Sequence, residues 1–174
     1  RAAGTCTFPA NVQLVAAMNP CPCGHYGSFQ RECRCSTPQI QRYRSRISGP
    51  LLDRIDIHVD VSPLEEKVLM SKPTGQDSKT IRERVMKARK LQYHRFSKSP
   101  TNCNSAMAPK EIQDHCALDK DCQQLLKLAI RELNLSARAY DRILRVARTI
   151  ADLEGRESIA QNHISEAIQY RTLD

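Results

Sequence analysis

Four cysteines fall within fifteen residues, as Cys21-Pro22-Cys23, a nine-residue interval, and Cys33-Arg34-Cys35. This spacing restricts the backbone more than any other feature of the chain. Four thiolates can close a tetrahedral zinc shell at about 2.3 Å per bond and leave no open position for a substrate. Nine residues let one pair loop back onto the other, and Gly24 and Gly27 supply freedom to turn around an ion. The expectation is a structural zinc loop over residues 19–37 with Cys21, Cys23, Cys33 and Cys35 as ligands, and His25 as a substitute ligand. Arg31, Arg34 and Arg42 would offset the charge of a tetrathiolate. The spacing is C-x-C rather than the commoner C-x-x-C. Cys6, Cys103, Cys116 and Cys122 are scattered, which suits ordinary burial or partial exposure better than a disulfide framework. With no charged-then-apolar leader in view, a reducing cytoplasmic compartment is expected.

Upstream of the cysteines, the apolar run Val12-Gln13-Leu14-Val15-Ala16-Ala17-Met18 ends at Asn19-Pro20 and reads as a strand buried on both faces. Pro38 to Ile47 reads as a helix with Pro38 in its first turn, stopped by Ser48-Gly49-Pro50. From Arg54 to Val61 the pattern alternates. Ile55, Ile57, Val59 and Val61 face one way, with Asp56, His58 and Asp60 as a solvent-side row without a ligand role. Two strands do not make a stable sheet. The missing strands are therefore expected before Arg1, in a longer protein of which this chain is a fragment.

The second half is helical in pattern. Pro63 to Gln76 is a connector with Pro73-Thr74-Gly75 as its turn. Thr80-Ile81-Arg82-Glu83 is a capping box opening a helix to about Phe96, with Ile81, Val85, Ala88 and Phe96 on one stripe. Pro109 starts a short helix. Asp119 caps a second, with Leu125, Leu126, Leu128, Ala129 and Leu133 as core face and Asn134 at its end. Ser136 caps a third, with Ala139, Ile143, Val146, Ala147 and Ile150 inward and Gly155 as its stop. A fourth covers about His163 to Tyr170. Short connections between such helices mean a small bundle.

Hydrophobic residues make up 40% of the 174 and charged residues 26%, enough for a globular core. No run reaches the roughly 20 apolar residues of a membrane span, so no membrane partner is expected. The formal charge of +8 is concentrated in residues 61–103, which hold ten basic and four acidic groups. Such a cluster attracts phosphate backbones by counterion release, and it is also what a solvated helix face looks like.

Three stretches carry a resemblance: Ala16-Ala17-Met18-Asn19-Pro20-Cys21-Pro22-Cys23-Gly24; Pro38 to Asp56, ending Ser48-Gly49-Pro50-Leu51-Leu52-Asp53-Arg54-Ile55-Asp56; and Leu135-Ser136-Ala137-Arg138-Ala139-Tyr140-Asp141-Arg142-Ile143-Leu144. Together they resemble the magnesium-chelatase-like AAA+ ATPases of the ComM (YifB) type, over nearly the whole chain and at the C-terminal end of that architecture. The resemblance implies an α/β remnant of an AAA+ core over residues 1–62, a basic helical insert and linker over 63–103, and an all-α lid over 104–174. The whole is mainly helical, with a small four-cysteine zinc loop.

The resemblance also assigns roles. Asn19 matches sensor 1, where an amide orients a water or touches the γ-phosphate; an Asn before Pro is also a routine turn former. Arg54 matches the arginine finger, which reaches a neighbour's ATP and neutralises charge during phosphoryl transfer; its alternative is a local pair with Asp53 or Asp56. Arg138 matches sensor 2 at the start of a lid helix, and Arg142, one turn on, is a weaker candidate or a surface residue. No G-x-x-x-x-G-K-[ST] occurs, and no acidic strand end suited to magnesium precedes Asn19. This stretch alone is therefore expected to be inactive, with ATP and magnesium needed by the full-length protein only.

The implied function is part of a bacterial, ring-forming, hexameric ATPase that acts as a branch-migration helicase on DNA, in recombination during natural transformation. One alternative is a zinc-stapled nucleic-acid-binding module without motor activity, using Arg42, Arg44 and Arg46 with Lys87, Arg89 and Lys90. Another is a magnesium-chelatase ATPase subunit, against which the cysteine quartet argues.

Overall fold

The computed structural model describes residues 4–8, 10, 12–64, 68, 70–71 and 75–171. Those residues contain seven α-helices, one short 3-10 helix and no strand. The chain forms two compact units, residues 1–47 and 48–174.

In the first unit, residues 19–35 form the cysteine loop and lead into α1 (Thr37–Arg44). Pro38 stands in the first turn of α1, where a missing N–H is harmless, as the sequence predicts. The Ser36 backbone N–H donates to the Gln39 side chain at 2.9 Å, and Ile40 is buried. The expected strand at residues 12–18 is not formed. Val12, Leu14, Val15 and Met18 are exposed, and no ladder partner exists among the described residues. A strand is defined by its neighbour, so an apolar run without one keeps only its composition.

In the second unit, α2 (Gly49–Leu52) begins inside the predicted stop, with Ser48 at its N-cap and Pro50 in its first turn. Residues 54–61 form no ladder either. Ile57, Val59 and Val61 are exposed, whereas His58 is half-buried, reversing the expected faces at these positions. The segment is held through side-chain and backbone bonds to the helices rather than through a sheet.

The long helix α3 (Ser78–Arg95) starts before the predicted box: Asp77 caps it, accepting from the Thr80 N–H at 2.9 Å. Its burial is confined to one end. Ala88, Gln92 and Phe96 are covered, while Ile81 and Val85 of the expected stripe are exposed. The predicted turn at Pro73 and Thr74 lies outside the described residues.

The bundle comprises α4 (Pro109–His115), α5 (Lys120–Glu132), α6 (Ala137–Leu153) and α7 (Gln161–Gln169). Asp119 accepts from the Cys122 N–H at 2.8 Å, and Ser136 from the Ala139 N–H at 3.2 Å, so both predicted caps are made. The predicted ends hold as well: Asn134 and Gly155 adopt φ 48° and 71°. The 3-10 helix (Asn104–Ala106), α3, α4 and α7 all pack on α6, and α7 also meets α5. The core gathers Met107, Ile112, Leu126, Ile143, Leu144, Ala147 and Ile164. Ala139, Ile143, Ala147 and Ile150 point inward as expected. On α5 the buried face is Cys122 and Leu126; Leu128 and Leu133, expected inside, are exposed.

A polar knot fastens α3 to α6. The buried Asp152 accepts from Arg95 at 2.5 and 2.7 Å, from the Asn104 amide at 2.8 Å and from Arg148 at 3.1 Å. Burying a carboxylate is tolerable only when its charge and lone pairs are met in this way.

Candidate metal centre and arginine site

The cysteine loop brings its four sulfurs together. All four Sγ atoms lie within 4.8 Å of one another. Cys21 and Cys23 are 3.3 Å apart, Cys21 and Cys33 3.7 Å, and Cys23 and Cys33 3.6 Å. A disulfide needs about 2.05 Å, so none of these pairs is bonded. A tetrahedral shell of bonds of about 2.3 Å has edges of about 3.8 Å, and the observed spacings approach that value.

The local backbone explains the convergence. Gly24 and Gly27 hold φ 79° and 77°, conformations that strain any residue with a Cβ. The Gly24 N–H donates to the Cys21 carbonyl at 3.0 Å, closing the turn under the first pair. Tyr26 meets the Arg44 guanidinium 5.3 Å from its ring centroid, and Arg44 also donates to the Pro20 carbonyl, so α1 braces the loop. Backbone hydrogen bonds from His25 and Arg34, then the Cys21 thiol, bring the Cys23 thiol down to about 6. Against a lowering backbone hydrogen bond in each, burial and the neighbouring thiols push Cys33 up to about 12 and raise Cys35, so the cluster holds both thiolate and thiol, and binding a metal ion would release the remaining protons. Burial also pushes Cys116 and Cys122 up, to about 11, as befits inert core thiols. The residues present thus fit a metal ion in a closed, four-sulfur shell.

Asn19 belongs to the same unit. It is exposed, with its side-chain amide beside Gly24, 3.8 Å from where a Cβ there would lie.

Arg54 and Arg138 belong to the second unit. Both carboxylates flanking Arg54 are engaged elsewhere. Asp53 pairs with Arg171 at 2.9 Å and accepts from the Ser136 hydroxyl at 3.2 Å. Asp56 pairs with Arg142 at 2.5 Å. The Arg54 side chain is exposed and has no ion-pair partner among the described residues. Its alternative reading as a local pair is therefore not realised. Arg138, in the first turn of α6, is exposed and likewise unpaired among the described residues.

Around Arg54 stand Arg142, which the sequence offers only as a weaker sensor 2 candidate or a surface residue, His58, which it places in a solvent-side row, and Arg171, which it does not single out. Arg142 donates to the Arg54 carbonyl as well as to Asp56. Arg171 donates to the Ile55 carbonyl, the Asp53 carbonyl and the Asp53 carboxylate. The His58 N–H donates to the Tyr170 carbonyl at 2.8 Å, and the His58 ring meets the Leu52 carbonyl at 3.2 Å. Burial, and then the Arg171 charge, lower the pKa of His58, keeping it neutral beside that guanidinium. Asp53 and Arg171 are 118 positions apart, so no local pattern announces their pair.

Comparison with known proteins gives the following. Residues 75–171 match the family model "Magnesium chelatase, subunit ChlI C-terminal", and residues 1–69 match "Magnesium chelatase, subunit ChlI". The chain is 44% identical over 174 residues to Competence protein ComM of Haemophilus influenzae, covering 99% of this chain and 33% of that protein. It is 41% identical over 170 residues to the uncharacterized protein YifB of Escherichia coli, covering 97% and 32%. An uncharacterized protein of Mycobacterium tuberculosis is 32% identical over 168 residues, covering 97% and 33%. The chain spans about a third of the length of the curated relatives it matches. Among the described residues, no helix is long and apolar enough to cross a membrane.

Proposed function

The chain belongs to the magnesium chelatase, subunit ChlI family, and on that premise we propose that it is the finger-and-lid portion of a ring-forming, ATP-driven DNA motor. Its work would be branch migration in recombination during natural transformation, a role in keeping with the competence protein among its relatives. The observation that carries this reading is the exposed guanidinium of Arg54, which has no ion-pair partner among the described residues and stands between two carboxylates already neutralised by Arg142 and Arg171. A cation left unspent in that setting is available to a neighbouring subunit.

The roles follow from charge and reach. In phosphoryl transfer, negative charge spreads over the transferred group, and a guanidinium brought to it lowers the barrier. Arg54 supplies that charge to the next subunit's site. Arg138, at the dipole-positive end of α6, holds phosphate oxygens of the chain's own nucleotide. Asn19 orients the attacking water. ATP and magnesium supply the phosphoryl group and its counter-charge, bound mainly by residues outside this chain. Zinc in the four-cysteine loop would fix the backbone of residues 19–37 and perform no chemistry. The division of labour is then core piece over 1–62, insert over 63–103 and lid over 104–174, in a homo-oligomeric ring of cytoplasmic location.

DNA as partner has its own support. The α3 side of a groove between α3 and the end of α6 carries Arg84, Lys87, Lys90 and His94 beside Glu83, while Asp152 and Glu154 line the α6 side, so the cations that could meet phosphate lie along α3 alone. Salt-dependent DNA binding by the chain alone would also suit a nucleic-acid module without motor activity. The finger separates the two readings. In the full-length protein, Arg54→Ala is expected to lower ATP turnover by about 10³-fold with oligomers intact. Near-normal turnover in intact oligomers would remove the finger assignment.

A further inference from the structure

We propose that Arg142 and Arg171 are positioning residues for Arg54: gripping residues 53–56, they make the finger part of the helical bundle and present it in fixed register with Arg138. The inference rests on reading Arg54 as the finger, and it adds which residues aim it.

The finger segment has no ladder among the described residues to hold it. Its carbonyls are met from the bundle instead. Arg142 takes the Arg54 carbonyl and the Asp56 carboxylate. Arg171 takes the carbonyls of Asp53 and Ile55 and the Asp53 carboxylate. The Arg171 fork, through Nη1 and Nη2, and the Nη1 of Arg142 thus fix the peptide planes on both sides of Arg54, whose own side chain has no ion-pair partner among the described residues. The planar fork of arginine can do this; a lysine ammonium cannot hold three oxygens of one loop in a set geometry.

Two further details favour positioning over a surface ion pair. The Arg171 side chain is 4% exposed, and its Nε is buried with no hydrogen-bond partner among the described residues, a cost that a merely decorative pair would not justify. Asp53 also accepts from Ser136, the residue that caps α6 two positions before Arg138. A single carboxylate therefore joins the finger loop, the end of α7 and the first turn of the helix that carries Arg138. A tilt of the bundle driven by phosphate at Arg138 would carry Arg54 with it, so that occupancy of one subunit's site would set the finger offered to the next.

The test uses the full-length protein, with Arg142→Gln, Arg171→Gln and Arg54→Ala assayed for ATP turnover and oligomeric state. Each positioning variant is expected to lower kcat by about ten- to a hundredfold with KM for ATP nearly unchanged, as misplacement of a catalytic group does. Subunit mixing then identifies where the loss acts. A finger serves the neighbour, so mixing either variant with subunits whose own phosphate-binding loop is disabled should restore part of the turnover, as it should for Arg54→Ala. Loss of turnover that mixing does not restore would place the defect in the chain's own site and overturn the proposal. So would unchanged kcat in both variants while Arg54→Ala is inactive. Normal turnover in Arg54→Ala would instead remove the finger reading itself. Should Arg171→Gln fail to fold, Arg142→Gln and the exposed Asp56→Asn carry the same comparison.

Discussion

Asp152 shows how much one buried side chain can decide. It meets two guanidiniums and an amide, and through them fixes the end of α3 and the 3-10 helix to α6. Removing it leaves Arg148, buried to 2% exposure, and Arg95 without their carboxylate. Asp152→Ala is therefore expected to cost about 3–5 kcal/mol, the penalty of stranding buried charge. Denaturant unfolding of the chain would measure it, and a change within 1 kcal/mol would mean the knot is dispensable. No local pattern in the sequence singles out Asp152, which stands near the end of α6. Its role follows from partners 48 and 57 positions away. Arg54 was found differently. Its proposed role came from the resemblance of its flanking sequence, while the pairing of Asp53 and Asp56 with other arginines is visible only in three dimensions.

At the scale of elements, the helices were legible and the strands were not. Caps at Asp119 and Ser136 and stops at Asn134 and Gly155 are local chemistry, so they survive whatever packs around them. A strand needs a partner, and residues 12–18 and 54–61 have none among the described residues. The short α4 depends on such local bonds too. Glu111 accepts from Ser99 at 2.6 Å, Thr101 at 2.8 Å and the Ala108 N–H at 2.8 Å, tying the polar linker to the first turn. The Ser99 hydroxyl, followed by the Ala108 N–H and the Thr101 hydroxyl, holds the Glu111 carboxyl below its usual 4.5. A depressed carboxylate stabilises the fold fully above its unfolded value, and that contribution disappears as pH falls through the folded value. Thermal melts should thus show Tm falling below about pH 4.5, and falling less in Glu111→Gln across the same window. Parallel curves for the two proteins would show that Glu111 contributes nothing to the acid response.

Over the whole molecule, the two units draw on different sources of order. The core of residues 48–174 is assembled from side chains between Phe96 and Tyr170, whereas the loop of residues 19–35 relies on four sulfurs and a few backbone bonds. Metal removal should separate them. A chelator strong enough to strip zinc, or Cys33→Ser, is expected to release about one zinc per chain while leaving the helical melt of the bundle nearly unchanged. Metal analysis beside circular dichroism would check this; a purified chain with no bound metal at all would dismiss the zinc loop.

The sequence by itself determined the bundle helices, the caps at Asp119 and Ser136, the ends at Asn134 and Gly155 and the cysteine loop, because caps, left-handed turns and ligand spacing act over a few residues. Tertiary structure decided which apolar residues are covered, which carboxylates are already paired and which arginines hold the loop around Arg54. Those outcomes depend on contacts between positions up to 118 residues apart, where chain proximity carries no information.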